Sequence, residues 1–147
     1  MGQISKQIIF DTPLEKVWKV WTDVERTPEW VEGVSASKIT SSVREGKGLA
    51  WNEKCVFGKQ EIQMDHKFIE CEPLKKTVTE TGLPMGGSMQ TVAEFKSNAG
   101  GGTQANLQVE WDLGIVGAMI GEDKLQHMVE KSFNATIEKW KTKAEKG

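Results

Sequence analysis

The chain has 147 residues, the usual size of one folding domain, and its 27% charged and 37% hydrophobic residues exclude a disordered tail. Basic residues number 19 against 21 acidic ones, for a net charge of -2, and no long run of like charge occurs, so nucleic acid is not an expected partner. The sequence has neither the apolar core of a signal peptide nor about 18 consecutive apolar residues for a membrane span. We therefore expect a cytoplasmic, single-domain protein over residues 1–147.

A first strand is predicted over Ile4–Phe10, followed by two short helices. Thr12 is expected to cap the first helix, with Pro13 in its first turn and Glu15 completing a capping box. Asp23 can cap the second helix, which is expected to end near Trp30. The first helix carries an apolar stripe at helical spacing, made of Leu14, Val17, Trp18 and Trp21.

From Val34 to Leu113, apolar and polar residues alternate with a period of two, as they do in half-buried strands. Segments rich in glycine, proline and asparagine interrupt it at residues 46–48, 58–59, 72–73, 84–87 and 98–102. The pattern predicts a meander of six strands, and therefore seven strands in all.

The pairing register of the hairpin around Gly58-Lys59 can be derived from the sequence. A two-residue Gly-X loop suits a type II′ turn and sets Phe57 opposite Gln60. The following pairs are Cys55 with Ile62, Glu53 with Met64, Trp51 with His66, and Leu49 with Phe68. Because opposite residues share a face, one face is apolar except for a glutamate and a histidine. The last strand repeats the alternation with Ala105, Leu107, Val109 and Trp111 pointing inward.

Two segments follow the last strand. The glycine-punctuated stretch Leu113–Gly121 predicts a loop or a frayed first turn, which is either a flexible lid over a cavity mouth or a packed connector. A long amphipathic helix is predicted from Glu122 to about Ala144, and its apolar face needs the one-sided sheet as a partner. Its inner side carries Leu125, Met128, Val129, Ser132, Phe133, Thr136, Ile137 and Trp140. The fold class is therefore α+β.

This order of elements resembles the START-like superfamily, whose helix-grip fold also occurs in the birch-pollen-allergen group. The resemblance is carried by residues 11–18 (Asp-Thr-Pro-Leu-Glu-Lys-Val-Trp), residues 22–30 (Thr-Asp-Val-Glu-Arg-Thr-Pro-Glu-Trp) and Gly101-Gly102-Thr103. Within the superfamily the chain is similar to the polyketide cyclase/dehydrase and lipid-transport family. The resemblance implies a curved seven-stranded antiparallel sheet wrapped around the C-terminal helix, with a cavity between them. It leaves the function open, because members bind lipids, sterols, hormones, polyketides or proteins.

Glu53 and His66 are the candidate catalytic pair, as diagonal neighbours on the inward face. Burial is expected to raise the pKa of the Glu53 carboxyl. The pair could polarise a carbonyl or move a proton, as an aldol cyclisation or a dehydration requires. The alternative, which we favour, is that the two side chains satisfy each other or orient a ligand. No residue is therefore assigned a catalytic role.

The ligand cavity is expected to be lined by inward-facing residues of the sheet and the long helix. They are Trp51, Glu53, Cys55, Ile62, Met64, His66, Phe68, Met89, Leu107, Val109, Trp111, Met128, Ser132, Phe133 and Thr136. The hydroxyls of Ser132 and Thr136 could meet a polar group of a ligand or bond back to the preceding helical turn. Cys55 and Cys71 have no metal-binding or disulfide spacing, so no metal and no cofactor are expected. Cys55 is expected to be a buried small hydrophobe.

Three functions remain open. The favoured one is storage, transport or sensing of a small hydrophobic ligand, such as a lipid, isoprenoid or aromatic polyketide. The second is a cyclase or dehydratase that uses Glu53 and His66, although we lean against an enzyme. The third is a protein interaction module like the activators of the ninety-kilodalton heat-shock chaperone, which share this fold. A monomer or a weak homodimer is expected.

Overall fold

The computed structural model describes residues 2–57 and 59–146, in which strands and helices follow the predicted order. The strands are β1 Gly2–Phe10, β2 Val34–Ile39, β3 Ala50–Phe57, β4 Gln60–Glu72, β5 Lys76–Gly82, β6 Ser88–Ser97 and β7 Thr103–Asp112. The α-helices are α1 Leu14–Thr22, α2 Ile115–Ile120 and α3 Glu122–Lys146, and 3₁₀ helices span Val24–Glu29 and Pro84–Gly86. None of the helices described is both long and apolar enough to cross a membrane.

The strands form one seven-stranded antiparallel sheet in the order β1-β7-β6-β5-β4-β3-β2. The six strands after α1 form a meander, and β1 closes it by pairing with β7. The predicted helix-grip architecture, with two short helices between the first two strands, is confirmed. The predicted β3–β4 register is also confirmed, from Phe57 opposite Gln60 to Trp51 opposite His66. The predicted turn type depends on Gly58, which lies outside the described residues.

A bulge in β4 decides which residues of β5 face inward. Pairing begins with Glu72 opposite Lys76 and shifts by one residue between Phe68 and Glu70. An unbroken register would set Gly82 opposite His66. The shift sets Thr81 there instead, and it brings a threonine onto the inner face beside the histidine.

Three hydrophobic clusters form the core between the sheet and the helices. The first surrounds Trp140 of α3, which stacks on Trp21 of α1 at 4.8 Å and meets Phe10 of β1 edge-on at 4.9 Å. The second joins β1 and β7 to the start of α3 through Ile4, Val109, Trp111 and Leu125. The third lies on the part of the sheet formed by β3 and β4 and comprises Val24, Leu49, Trp51 and Phe68.

The predicted capping box at Thr12 and the predicted N-cap at Asp23 are both wrong. Helix α1 has Pro13 as its N-cap and no side-chain cap. The carbonyl of Thr12 accepts a 2.8 Å hydrogen bond from the hydroxyl of Thr103 at the start of β7. Asp23 likewise gives no side-chain cap to the 3₁₀ helix and pairs with Arg26 at 3.5 Å. Thr12 is therefore engaged in a tertiary contact, whereas Asp23 is engaged within its own turn.

The segment after β7 is more regular than predicted. Residues Ile115–Ile120 form the short helix α2 between Gly114 and Gly121, which have φ angles of 57° and 95°. This left-handed backbone favours glycine, since other residues pay a steric cost there. The prediction of a loop or frayed turn is therefore wrong for these residues. The two glycines separate α2 from α3.

The β6–β7 turn provides a stability prediction. Replacing Gly102 by alanine is expected to lower the free energy of unfolding by about 1–3 kcal/mol. The added Cβ would lie 2.2 Å from the carbonyl oxygen of Phe10, so the backbone would have to move. Urea denaturation measures the loss. The matched control is Gly100→Ala in the same turn, where the nearest atom to the new Cβ lies at 3.7 Å. A change equal to that of the control would contradict the prediction.

Candidate functional site

A buried pair of ionisable residues lies on the inner face of the sheet, where β3 and β4 pair. Glu53 is 5% exposed and His66 is 8% exposed. The β3–β4 register places the two side chains diagonally, and Nε2 of His66 lies 2.8 Å from Oε1 of Glu53. The hairpin therefore converts a sequence separation of 13 residues into direct contact.

Two neighbours extend this pair into a network. The Nδ1 atom of His66 lies 2.6 Å from the hydroxyl oxygen of Thr81 on β5. The indole N–H of Trp51 donates to Oε2 of Glu53 at 3.1 Å, and the indole ring stacks on the imidazole at 5.2 Å. The chain Trp51–Glu53–His66–Thr81 therefore crosses three strands.

The pKa of Glu53 is lowered from its ordinary value of 4.5, although burial, the largest single influence, raises it. The hydrogen bond and charge of His66 lower the pKa, with smaller contributions from Thr27 and Trp51, and together they outweigh burial. The predicted rise in this pKa is therefore wrong. Because Glu53 is ionised at neutral pH it can only accept hydrogen bonds, so Nε2 of His66 carries a proton.

Thr27, from the 3₁₀ helix Val24–Glu29, lies beside the same carboxylate. Its side chain is 5% exposed and contributes to the low pKa of Glu53. The hydroxyl is outside hydrogen-bonding geometry, and within the described part of the chain it has no partner. Buried hydroxyl groups normally have a partner, so this one is unusual.

Ten of the other predicted cavity residues fall into two groups. The packed group belongs to or contacts the hydrophobic clusters and comprises Trp51, Phe68, Met89, Leu107, Val109, Trp111 and Phe133. Ile62, Met64 and Met128 are half-buried and pack against none of the three clusters formed by the described residues.

Cys55 is buried on the inner face of β3, where a small hydrophobe was predicted. Burial, followed by the negative charge of Glu53, raises the pKa of its thiol to about 12. The thiol is therefore protonated at neutral pH and is not a nucleophile.

The two hydroxyl groups predicted to face the cavity from α3, those of Ser132 and Thr136, differ in their hydrogen bonding. Thr136 accepts a 2.9 Å hydrogen bond from the backbone N–H of Glu32, a role that neither sequence-based alternative anticipated. Ser132 is half-buried, and its hydroxyl makes no hydrogen bond to any described residue. Met128, Ser132 and Thr136 follow one another at intervals of four, so they lie along one side of the helix. The contact to Glu32 turns this side toward the 3₁₀ helix and β2.

Two surface hollows lie away from the buried pair. One, of about 680 Å³, runs between α1 and the end of α3 and is lined largely by charged side chains such as Lys16, Lys19 and Lys146. The other, of about 260 Å³, lies where Gly2 and Trp111 meet α2. Glu53 and His66 line neither hollow, so the predicted cavity around them stays a prediction.

Sequence reasoning missed three features of this site. The inward position of Thr81 could have been suspected from the alternating threonines 77, 79 and 81 of β5. The bond from Trp51 to Glu53 follows from their i, i+2 spacing, which sets both on one face of a strand. Thr27 carried no comparable pattern, because it approaches Glu53 only through the packing of the 3₁₀ helix on the sheet.

Several solved structures share the fold of this chain. The Zhui aromatase/cyclase from Streptomyces sp. R1128 matches with a TM-score of 0.81 and 16% identity over 98% of this chain and 93% of that one. A START superfamily protein from Mycobacterium smegmatis matches with a TM-score of 0.76 and 12% identity, covering 98% and 97% of the two chains. Ara h 8.0201 matches with a TM-score of 0.76 and 12% identity over 99% of each chain. Identities this low establish a shared fold alone.

The sequence comparison is more specific than the structural one. No curated protein matches the chain. The resemblance to the START-like superfamily is confirmed by the structures and by one family model. That model, described as Activator of Hsp90 ATPase homolog 1-like protein, matches residues 11–144, most of the sequence. The chain therefore belongs to the family of Activator of Hsp90 ATPase homolog 1-like proteins.

Proposed function

We propose that the protein binds a small, largely apolar molecule in a cleft between the sheet and α3. This central cleft is formed by Ile62, Met64 and Met128, and Glu53 lies on the same inner face as Met64. The observation that carries the proposal is that these three apolar side chains face the interior, remain half-buried, and pack against none of the clusters. A ligand that covered them would gain about 25 cal/mol per Å² of apolar surface removed from water.

The two walls of the cleft come from different elements. Met64 lies directly opposite Glu53 in the β3–β4 pair, so it shares the inner face with the carboxylate. Met128 lies on the side of α3 that carries Ser132 and Thr136 and is turned toward the 3₁₀ helix. Methionine side chains adapt their shape to varied apolar partners, which suits a binding surface.

Binding is favoured over catalysis because His66 has no free ring nitrogen. Its Nε2 atom contacts Glu53 and its Nδ1 atom contacts Thr81. A general acid or base must reach the proton that it transfers, and here both positions are occupied by protein atoms. The pair is therefore better suited to orienting a ligand.

A single domain over residues 1–147 and a cytoplasmic location stay predictions.

The uncharged fluorescent probe N-phenyl-1-naphthylamine tests the proposal. We expect saturable binding of one probe per chain, read as increased fluorescence. Met64→Trp fills the cleft and is expected to weaken binding about tenfold or more, within the range that pocket-shape changes produce. Gln63→Trp is the matched control, because Gln63 is the exposed neighbour on the same strand and should leave binding unchanged. Absence of saturable binding, or equal binding by both variants, would refute a ligand site in this cleft.

A second function, docking of a partner protein, is favoured by the surface of α2. Ile115 and Met119 are 64% and 78% exposed and lie one turn apart on the same side of this helix. Exposed apolar residues grouped in this way are typical of interaction sites. The name of the matched family, which refers to activation of the Hsp90 ATPase, agrees with a protein partner. Failure of the probe to bind, with a partner retained by wild-type protein and lost by Met119→Ser, would favour this function.

A further inference from the structure

We propose that the basic hollow between α1 and the end of α3 binds a compact oligophosphate, such as a triphosphate group. The hollow has a volume of about 680 Å³, which lies within the size range of small-molecule sites. Its described walls include none of Ile62, Met64, Met128 and Glu53, so this site is separate from the central cleft and goes beyond the proposed function.

The walls of the basic hollow carry an excess of positive charge. Six cations from α1, the first 3₁₀ helix and α3 line it, namely Lys16, Lys19, Arg26, Lys139, Lys143 and Lys146. Among its described lining residues there are only three carboxylates, those of Asp23, Glu29 and Glu138. The hollow therefore has a formal charge of +3, whereas the whole chain has a net charge of -2. Positive charge is concentrated here against the overall sign of the protein.

Ion pairs with the carboxylates use part of this positive charge. Arg26 lies 3.5 Å from Asp23 and 3.9 Å from Glu29, and Nζ of Lys143 lies 2.6 Å from the same glutamate. The hydrogen bond from Lys143, followed by the charges of Lys143 and Arg26, lowers the pKa of Glu29 from its ordinary value of 4.5. A negative charge is therefore stabilised in this hollow.

Three lysines supply the positive charge that is left over. Lys16, Lys19 and Lys146 are exposed, and within the described part of the chain none of them forms an ion pair. Lys16 and Lys19 lie three residues apart on α1, so their side chains share one side of the helix. Their like charges repel each other, and a bound anion relieves this repulsion.

The identity of these cations favours phosphate over carboxylate ligands. A carboxylate is matched best by the planar fork of arginine, whereas lysine binds phosphate as a point charge. The arginine of the hollow, Arg26, already faces Asp23 and Glu29, and the cations left over are lysines. An oligophosphate carries several negative charges in a small volume, so one molecule can interact with lysines of both helices.

An extended acidic segment of another protein fits the hollow less well. Its carboxylates would be spread along the walls and would meet Asp23, Glu29 and Glu138 as well as the lysines. Like charges facing each other across a contact are unfavourable, whereas a compact anion can stay beside the lysines. The last carbonyl groups of α3 carry partial negative charge and weaken the attraction of Lys143 and Lys146 for an anion. A ligand with one phosphate group is therefore expected to bind more weakly than a triphosphate.

Isothermal titration calorimetry with sodium tripolyphosphate at pH 7 in low salt tests the site. We expect saturable binding of one tripolyphosphate per chain, weaker binding of AMP, and weaker binding of both at high salt because the contacts are exposed. ATP distinguishes two sources of the same chemistry. A site for free oligophosphate binds ATP no more tightly than tripolyphosphate, whereas a site for a nucleotide binds ATP more tightly.

A double variant assigns the binding to the hollow. Lys16→Gln/Lys19→Gln removes two ammonium groups from exposed positions, so the protein should fold, and tripolyphosphate should bind about fivefold more weakly. Lys54→Gln/Lys67→Gln is the matched control, because these exposed lysines lie on β3 and β4 and the net charge changes equally. The control should bind tripolyphosphate as the wild type does.

Three results would overturn the proposal. Tripolyphosphate could fail to bind, or both double variants could weaken it equally, which would mean that only the overall charge matters. Alternatively, hexaglutamate could bind as tightly as tripolyphosphate, which would mean that the hollow accepts an acidic protein segment. Binding of N-phenyl-1-naphthylamine should be the same in the wild type and both double variants, because the central cleft is separate. Failure of the oligophosphate site is therefore distinguishable from failure of the proposed function.

Discussion

Replacing His66 by alanine is expected to lower the free energy of unfolding by about 3–5 kcal/mol at pH 7, because the buried carboxylate of Glu53 loses its main partner. Glu53 is 5% exposed, and His66 supplies its hydrogen bond of 2.8 Å. Without the imidazole, the carboxylate keeps only its bond to Trp51 among the described contacts. Urea denaturation of the two proteins measures the loss.

The same variant is expected to respond to pH in the opposite direction from the wild type. In the wild type burial raises the pKa of Glu53, but His66, with Thr27 and Trp51, outweighs burial and holds it below 4.5. The carboxylate therefore stabilises the fold above about pH 4.5, and this stabilisation is lost as pH falls through the folded-state pKa. In His66→Ala burial dominates and raises the pKa above the unfolded value. The variant should gain stability as pH falls from 7 to about 5.

The double variant Glu53→Gln/His66→Ala is the control for buried charge. A glutamine carries no charge, so the double variant is expected to be more stable than His66→Ala at pH 7 although it lacks one more native group. Its stability should also be less sensitive to pH, because position 53 no longer titrates. If the single variant is as stable as the double variant at pH 7, an unpaired carboxylate is not the cause of the loss.

The contact between Glu53 and His66 could be anticipated because it depends on a short hairpin. A two-residue loop allows few registers, and both strands alternate apolar and polar residues over their whole length. A shift by one residue would have exposed every apolar side chain of both strands. Local sequence therefore contained enough information to place the pair.

The position of Thr81 could not be derived in the same way. The hairpin between β4 and β5 begins with Glu72 opposite Lys76, and this register alone puts Gly82 next to His66. A bulge before Glu70 moves Thr81 into place, and Phe68 and Ile69 are both apolar, so alternation does not locate the extra residue. Bulges depend on how the whole sheet packs and twists, which a local pattern does not contain.

Tertiary packing also explains the predictions that were wrong. Thr12 has the residue type and spacing of an N-cap, yet its carbonyl is held by Thr103, which lies 91 residues away. The pKa of Glu53 was expected to rise because burial alone was considered, whereas the hydrogen bond and charge of His66, with smaller contributions from Thr27 and Trp51, lower it. The partner of Thr12 is distant in sequence, whereas His66 belongs to the same hairpin as Glu53.

Replacing Trp140 by alanine is expected to cost about 3–5 kcal/mol, as large-to-small substitutions of buried aromatic residues do. Trp140 is 1% exposed and joins α3 to the rest of the core. Its ring contacts four aromatic residues of other elements at centroid distances of 4.8 to 6.0 Å, namely Phe10, Trp21, Trp30 and Phe95. Removing the indole therefore opens a cavity where β1, β6, α1 and α3 meet. Urea denaturation followed by circular dichroism measures the loss.

Two variants separate this packing effect from an effect on helix α3 itself. Trp140→Phe keeps an aromatic ring at the centre of the cluster and is expected to lose roughly half as much stability as the alanine variant. His127→Ala, at an exposed position of the same helix, should change stability by less than about 0.5 kcal/mol. A loss below about 1 kcal/mol for Trp140→Ala would mean that the neighbouring rings collapse into the space. The first cluster would then not be what holds α3 against the sheet, and the walls of the central cleft would need another source of rigidity.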